Sequence, residues 1–243
     1  MKVLGVIPAR YGSARFPGKP LIDLKGKTMI QRVYEGAARS EIISELVVAT
    51  DDERIIEAVK SFNGEVEMTA DHHQSGTDRC GEIALNHPDM DVVINIQGDE
   101  PLVDPHQLDG LLKAFDDPEV QIATLGIQDR TSENRSNENR IKLVRDINGD
   151  ALYFSRSAIP NTSKADETAL SELKLFRHIG VYAFRREVLL NLIELPVCPL
   201  EKVESLEQLR WMYNGYKVRV VETTIETPNI DSPEDVAEVL NYL

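Results

Sequence analysis

The sequence predicts an α/β fold: a mostly parallel central sheet with helices on both faces. Three observations carry that expectation. Short apolar runs and helix-like segments alternate through the first half of the chain. The apolar runs, "VVINI" at 92–96 among them, show almost no period-2 alternation, as expected of strands buried on both faces. The segment 52–62 has helical character and stops at Asn63-Gly64, a good C-terminal cap.

Taken in order, strands are expected at 3–7, 46–50, 65–69, 92–96 and 121–126. Helices are expected between them at 28–39, 52–62, 77–86 and 105–115. The alternation breaks at "QDRTSENRSNENR", 128–140, which is polar throughout and reads as an exposed loop. Two strand-like runs, "IKLVRD" and "ALYFS", then flank Asn148-Gly149, a strong hairpin signal. A second polar stretch, "NTSKADETALSELK", leads to the strand-like "FRHIGVYAF". Residues 200–213 read as one helix ended at Asn214-Gly215, "YKVRVVE" as a strand, and "DSPEDVAEVLNYL" as a last helix. No internal repeat is visible. We read residues 1–243 as a single domain with a smaller hairpin-containing arm at about 128–190.

A chain of 243 residues is long enough to bury a core of its own. Its 27 Lys and Arg against 41 Asp and Glu give a net charge of −14, which should repel nucleic acid. An anionic ligand therefore needs a local cationic site working against the global field. No apolar run approaches the roughly 18 residues of a membrane span. The N-terminal apolar run is strand-sized and ends in Pro-Ala-Arg, without signal-peptide anatomy. Cys80 and Cys198 lack CxxC spacing and read as buried thiols of a reducing cytoplasm.

That cationic site is expected in the loop after the first strand, "PARYGSARFPGKPL", where ligands of open α/β sheets bind. It carries Arg10, Arg15 and Lys19, and the first acidic residue of the chain, Asp23, comes only after it. Glycine lets backbone N–H groups approach phosphate oxygens, and Arg and Lys supply charge. The loop is not a P-loop: five residues separate Gly12 from Gly18-Lys19, and Pro20 stands where Ser or Thr would hold a metal. A dinucleotide GxGxxG is also absent.

"VIPARYGSARFPGKPL" resembles the N-terminal signature of the sugar-nucleotide cytidylyltransferases, most closely the 3-deoxy-manno-octulosonate (Kdo) cytidylyltransferase family. "HQSGTDR" (73–79), "VINIQGDEPL" (93–102), "ALYFSR" (151–156), "FRHIGVYAF" (176–184), "PLEKVESLEQLR" (199–210) and "IDSPED" (230–235) resemble successive motifs of that family, in order across nearly the whole chain. The resemblance implies a nucleotide-diphospho-sugar transferase-like fold, a homodimer built by the arm, and the reaction CTP + Kdo → CMP-Kdo + diphosphate with Mg²⁺, serving lipopolysaccharide assembly. It leaves open cytidylyl transfer to 8-amino-Kdo or a sialic acid-like sugar, or a silent nucleotide-binding regulator.

It further implies that Ala9, Arg10, Gly12, Ser13, Arg15 and Lys19 hold the triphosphate. Ser75, Gly76 and Thr77 would meet the pyrimidine, although the same residues with Asp78 read equally well as a helix N-cap. Arg10, Lys19 and Asp99 are the expected catalytic groups. Asp99 follows a strand in "QGDEP", and a carboxylate facing a triphosphate needs a divalent cation between them. Asp231 is the second expected metal ligand. Its neighbours read as a helix start, with Ser232 as N-cap, Pro233 at N1 and Asp235 reaching back. In 200–213, Leu200, Val203, Leu206 and Leu209 form one expected apolar stripe. Glu201, Glu204 and Gln208 lie on an adjacent face that otherwise reads as a solvated acidic one. The resemblance assigns Gln97, His178, Tyr182, Glu207 and Gln208 to sugar hydroxyls and Arg156 to the sugar carboxylate. A metal-binding role for His178 is not expected, because no ligand cluster surrounds it. The chain departs from the family at "IPNTSK", where members often carry an aromatic residue and an arginine and only Lys164 stands in. That leaves the identity of the sugar acid open.

Overall fold

The computed structural model describes residues 1–12, 16–129 and 131–243, the side chain at 132 excepted. Its contacts divide into two compact units, one of Met1–Leu112, Val181–Ile193 and Thr227–Leu243, the other of Lys113–Gly180 and Glu194–Glu226.

The first unit begins with β1 (Val3–Ala9), α1 (Met29–Ala37), β2 (Glu45–Thr50), α2 (Glu53–Ser61), β3 (Val66–Met68), α3 (Gly76–Asn86), β4 (Val92–Asn95) and α4 (Pro105–Leu112). Its strands run β3-β2-β1-β4, all parallel. Every residue of β4 is buried, as the non-alternating "VVIN" requires. The helices start where short polar side chains satisfy their first N–H groups. Thr28 accepts from Gln31 N, Asp52 from Arg54 N, and Ser75 from Asp78 N. Asn63, at φ 60°, ends α2 as its sequence suggests. Met29, Ile30, Val33, Gly36 and Ala37 form the buried stripe of α1, at helical spacing. Burying each large apolar side chain there contributes about 1.5–3 kcal/mol.

The second unit carries β5 (Ile122–Gln128), α5 (Ser132–Ser136), β6 (Lys142–Arg145), β7 (Ala151–Ser155) and α6 (Glu167–Glu172). β6 and β7 form the expected hairpin, and Gly149 of its turn has φ 84°. β8 (Phe176–Arg185) starts in this unit, where it pairs antiparallel with β6, and ends in the first, where it pairs antiparallel with β4. α7 (Arg186–Leu192) follows in the first unit. α8 (Pro199–Glu204), α9 (Gln208–Tyr213) and β9 (Val218–Thr223) complete the second, with β9 parallel to β5. α10 (Asp235–Leu240) closes the chain in the first unit. The sequence-based arm, 128–190, overlaps the second unit, which also takes in 113–127 and 194–226.

Several expectations need correction. The polar stretches 128–140 and 161–174 each hold a short helix, α5 and α6. The helix expected at 105–115 ends at Leu112 and tightens into a 3-10 turn, Lys113–Asp116. α7 had no counterpart in the sequence reading. The helix expected at 200–213 is two helices, broken at Ser205 in the left-handed region (φ 52°, ψ 49°). The break undoes the expected stripe: Leu206 and Leu209 are buried (7% and 1% exposed), while Leu200 and Val203 are not (38% and 84%). The expected solvated acidic face is corrected too. Glu201 pairs with Arg210, and Glu204 accepts from the Ser155 hydroxyl and the Arg156 N–H. Cys80 and Cys198 are buried thiols, not joined in a disulfide, as expected.

Candidate active site

At the C-terminal edge of β1 and β4 the first unit holds a cavity of about 450 Å³. That volume lies in the range of small-molecule sites. Three segments wall it. Pro8, Ala9, Arg10 and Gly12 leave β1, and Lys19 and Pro20 return beneath them. Ser75, Gly76 and Arg79 open α3. Asn95, Gln97, Gly98 and Asp99 leave β4.

Two glycines let these segments meet. A Cβ on Gly98 would stand 2.6 Å from the Pro8 carbonyl oxygen, so the β4 turn reaches β1 only without a side chain there. Gly18 has φ 72°, donates its N–H to Tyr11 O at 2.9 Å and closes the first loop just before Lys19. Tyr11 in turn lies under the guanidinium of Arg54, 3.3 Å from the ring centroid.

Lys19 ties the cavity together. Its ammonium donates to Asp99 Oδ2 at 2.9 Å and to the Ile230 carbonyl at 2.7 Å. Ile230 N donates to Asp99 O at 2.9 Å, so the backbone sets Asp231 one residue from the Asp99 turn. Ile230 is held there by a buried cluster with Leu24, Met29 and Val239. Asp231 Oδ2 accepts from Asn229 Nδ2 at 3.0 Å. Asp235 reaches back as expected, accepting from Asp231 N, Ser232 N and Ser232 Oγ. Burial pushes its carboxyl pKa up, but those hydrogen bonds outweigh it and hold the pKa below the usual range. The helix itself starts two residues later than the sequence suggests, because Asp235 closes the turn over 232–234 first.

Of the expected nucleotide and metal residues, Ala9, Arg10, Gly12, Lys19, Ser75, Gly76 and Asp99 line this one cavity. Ser13 and Arg15 lie outside the described residues. Thr77 is buried in α3 and is not part of the lining. Ser75 also serves as the N-cap: Ser75 and Asp78 form a reciprocal capping box, so the cap reading holds. Arg79 was not singled out in the sequence. It is 1% exposed, lines the cavity, and donates to Thr69 Oγ1 and to Asp51 at 2.9 Å. Its place in "HQSGTDR", three residues after Gly76, is the signal that could have found it.

The expected sugar-binding residues fall in both units. Gln97 lines the cavity, and Tyr182 stands across from Asn95, two residues before Gln97, in the β4–β8 register. Arg156, His178, Glu207 and Gln208 belong to the second unit. Arg156 donates to the carbonyls of Glu138, Glu204 and Ser205, which caps the end of α8. The Thr124 hydroxyl lies within hydrogen-bond distance of both Ile179 O, at 3.3 Å, and His178 Nε2, at 3.0 Å. Burial, with the Arg177 charge beside it, pulls the His178 pKa down to about 3, so the ring is neutral. Gln208 is buried, and its Nε2 has no hydrogen-bond acceptor among the described residues.

A sequence profile described as Cytidylyltransferase matches residues 4–223. A 3-deoxy-manno-octulosonate cytidylyltransferase of Bacteroides thetaiotaomicron is 51% identical, covering all of this chain and 98% of its own. One of Syntrophotalea carbinolica is 46% identical, covering all of this chain and 99% of its own. The chain belongs to the 3-deoxy-manno-octulosonate cytidylyltransferase family. A solved structure described as CMP:2-keto-3-deoxy-manno-octonic acid synthetase complexed with CTP superposes with a TM-score of 0.92 at 42% identity, over all of this chain and 98% of that one. The α/β fold, the parallel sheet and the nucleotidyltransferase class read from the sequence are therefore those of this cytidylyltransferase family. Among the described residues no helix is long and apolar enough to cross a membrane.

Proposed function

We propose that this chain transfers the cytidylyl group of CTP to the anomeric hydroxyl of 3-deoxy-D-manno-octulosonate, giving CMP-Kdo and diphosphate for lipopolysaccharide assembly. The observation that carries the reading is one cavity lined by Arg10 and Lys19, cations of a −14 chain, together with Asp99. Arg10 and Lys19 would hold the phosphates, and Ser75 and Gly76 at the start of α3 would meet the base. Gln97 and Tyr182, on the same strand edge, would orient the sugar for in-line attack on the α-phosphorus. Such positioning and charge neutralisation account for most catalysis of phosphoryl-type transfers.

The chemistry of two side chains supports Mg²⁺ as the metal. Asp99 and Asp231 are hard oxygen donors brought to one turn by the Ile230–Asp99 backbone bond, and Lys19 engages one oxygen of Asp99, leaving the other. When bound, the ion supplies positive charge to the triphosphate oxygens. The chain's own residues would do the rest: Lys19 would exchange its hold on Asp99 for a phosphate oxygen.

Buried Gln208 Nε2 and neutral His178 suit a polyhydroxylated ligand, and Arg156 would pair with a sugar carboxylate. Exposed Leu152, Val197 and Val203 on the second unit support a homodimer, and two buried cysteines not joined in a disulfide support a cytoplasmic setting.

The deciding experiment is diphosphate release with CTP and Mg²⁺ against Kdo, 8-amino-Kdo, sialic acid and no sugar. Release with Kdo makes "IPNTSK" a tolerated variation. Release only with the amino sugar makes that segment the specificity determinant. No release with any sugar, while CTP still binds, makes the protein a nucleotide-binding regulator.

A further inference from the structure

Arg54 is not part of the cavity lining, yet its contacts lead to it. It stands in the first turn of α2, and its guanidinium lies over the face of the Tyr11 ring, 3.3 Å from the centroid. Asp52 holds the guanidinium in that place. Asp52 Oδ1 accepts from Arg54 Nε at 2.8 Å and Oδ2 from Nη2 at 2.6 Å, a two-pronged bond that fixes the guanidinium plane. Oδ1 also accepts from Arg54 N at 3.0 Å, so the same carboxylate caps α2.

Tyr11 sits between Arg10 and Gly12, both in the cavity wall. Its carbonyl accepts from Gly18 N at 2.9 Å, one residue before Lys19. Gly18 also packs on the phenol, since a Cβ there would stand 3.3 Å from Tyr11 Cζ. α2 lies beside the 3-10 turn Lys19–Leu21. Tyr11 therefore touches both ends of the loop that brings Arg10 and Lys19 to the cavity, and Arg54 holds Tyr11 from outside it. A cationic loop already in place binds a polyanion without the entropic cost of ordering itself first.

We propose that Arg54 is a positioning residue for this loop: stacked on Tyr11 and oriented by Asp52, it pre-organises Arg10 and Lys19 for the phosphates of the nucleotide. The proposal rests on the reading of the cavity as the CTP site. Arg54 touches no ligand in this role. It acts through the Tyr11 ring, which differs from adding one more positive charge to the field around a polyanion.

Calorimetric CTP affinities of full-chain variants test it. Arg54→Leu should bind CTP about 2- to 5-fold more weakly, as expected for loss of an exposed cation–π contact. Tyr11→Leu should weaken binding at least as much, and the double variant no further than Tyr11→Leu alone, because the two side chains act as one unit. Asp52→Asn separates positioning from charge. Asparagine caps a helix as well as aspartate does, so α2 keeps its start. If Arg54 acted by charge alone, removing the neighbouring negative charge would tighten CTP binding. Weaker binding is expected, because the bond that orients Arg54 is lost. Tighter binding in Asp52→Asn, independent effects of the two leucine variants, or unchanged affinity in Arg54→Leu each overturns the proposal. If Tyr11→Leu fails to fold, Asp52→Asn decides. An unaltered protein that binds no CTP overturns the reading of the cavity itself, and this proposal with it.

Discussion

The ammonium of Lys19 lies 2.9 Å from the Asp99 carboxylate, so the cation proposed to hold a phosphate and the acid proposed to hold a metal neutralise each other. Both side chains keep some solvent exposure, which limits the pair to about 1 kcal/mol of stability. Its value is in the chemistry. Asp99→Asn is expected to lower kcat/KM for diphosphate release by about 10³-fold or more, and Lys19→Met by about 10²-fold or more. Melting temperatures should move by only a few degrees. Near-normal Mg²⁺-dependent turnover in Asp99→Asn would remove Asp99 from the site.

Gly98 offers a purely steric test. Alanine there would put its Cβ 2.6 Å from the Pro8 carbonyl oxygen, a backbone atom that cannot swing aside. Overpacking of this kind costs about 1–3 kcal/mol, or several degrees in the melting temperature of a chain this size. Because Pro8 and Gly98 both wall the cavity, CTP affinity should fall with it. A Gly98→Ala protein that melts and binds CTP normally would show that the two segments separate easily.

Apart from Arg79, the charged residues that line the cavity were legible because they belong to short motifs at strand ends, where topology collects them. "PAR", "SG" and "QGD" leave or enter three buried elements at one edge. The Lys19–Ile230 hydrogen bond was not legible. It joins residues 211 positions apart, and no local pattern encodes that distance. The break at Ser205 was missed for another reason. Leucines at 200, 206 and 209 with Val203 fit one helical stripe, and only the burial of Leu206 and Leu209 without Leu200 and Val203 reveals two helices. Helix α5 is polar throughout, and α6 has only Ala169 and Leu170 as apolar residues and buries none, so neither carries a periodic apolar signal to read.

His178 gives a dependence on pH. Its pKa falls from 6.5 to about 3 because burial disfavours the charged ring and Arg177 repels it. Between those values the unfolded chain binds a proton that the folded protein does not. Stability from this group is therefore full above about pH 6.5 and is lost as the pH falls toward 3. His178→Gln should flatten the fall of chemical-denaturation stability between pH 6.5 and 4.5. An unchanged slope would assign acid sensitivity to other groups, such as Asp129 and Glu222, whose carboxyls are also held below their ordinary pKa.

Glu201 and Arg210 hold the broken helix in shape. Glu201 accepts two hydrogen bonds from the Arg210 guanidinium, at 2.8 and 2.5 Å, and both side chains are nearly buried. The pair therefore joins α8 to α9 across the left-handed Ser205, and the fork geometry of arginine makes it directional. Glu201→Ala leaves a nearly buried guanidinium without its carboxylate and should cost about 3 kcal/mol or more. Arg210→Lys keeps the charge but loses the fork, and should recover only part of that stability. The consequence for function follows from position. Glu207 and Gln208 sit between the break and the rest of α9, so their placement depends on how α8 meets α9. If they hold the sugar, Arg210→Lys should raise the KM for the sugar more than the KM for CTP, whose expected contacts lie in the other unit. Equal changes in both constants would mean that the helix break stabilises the chain without placing the sugar-binding side chains.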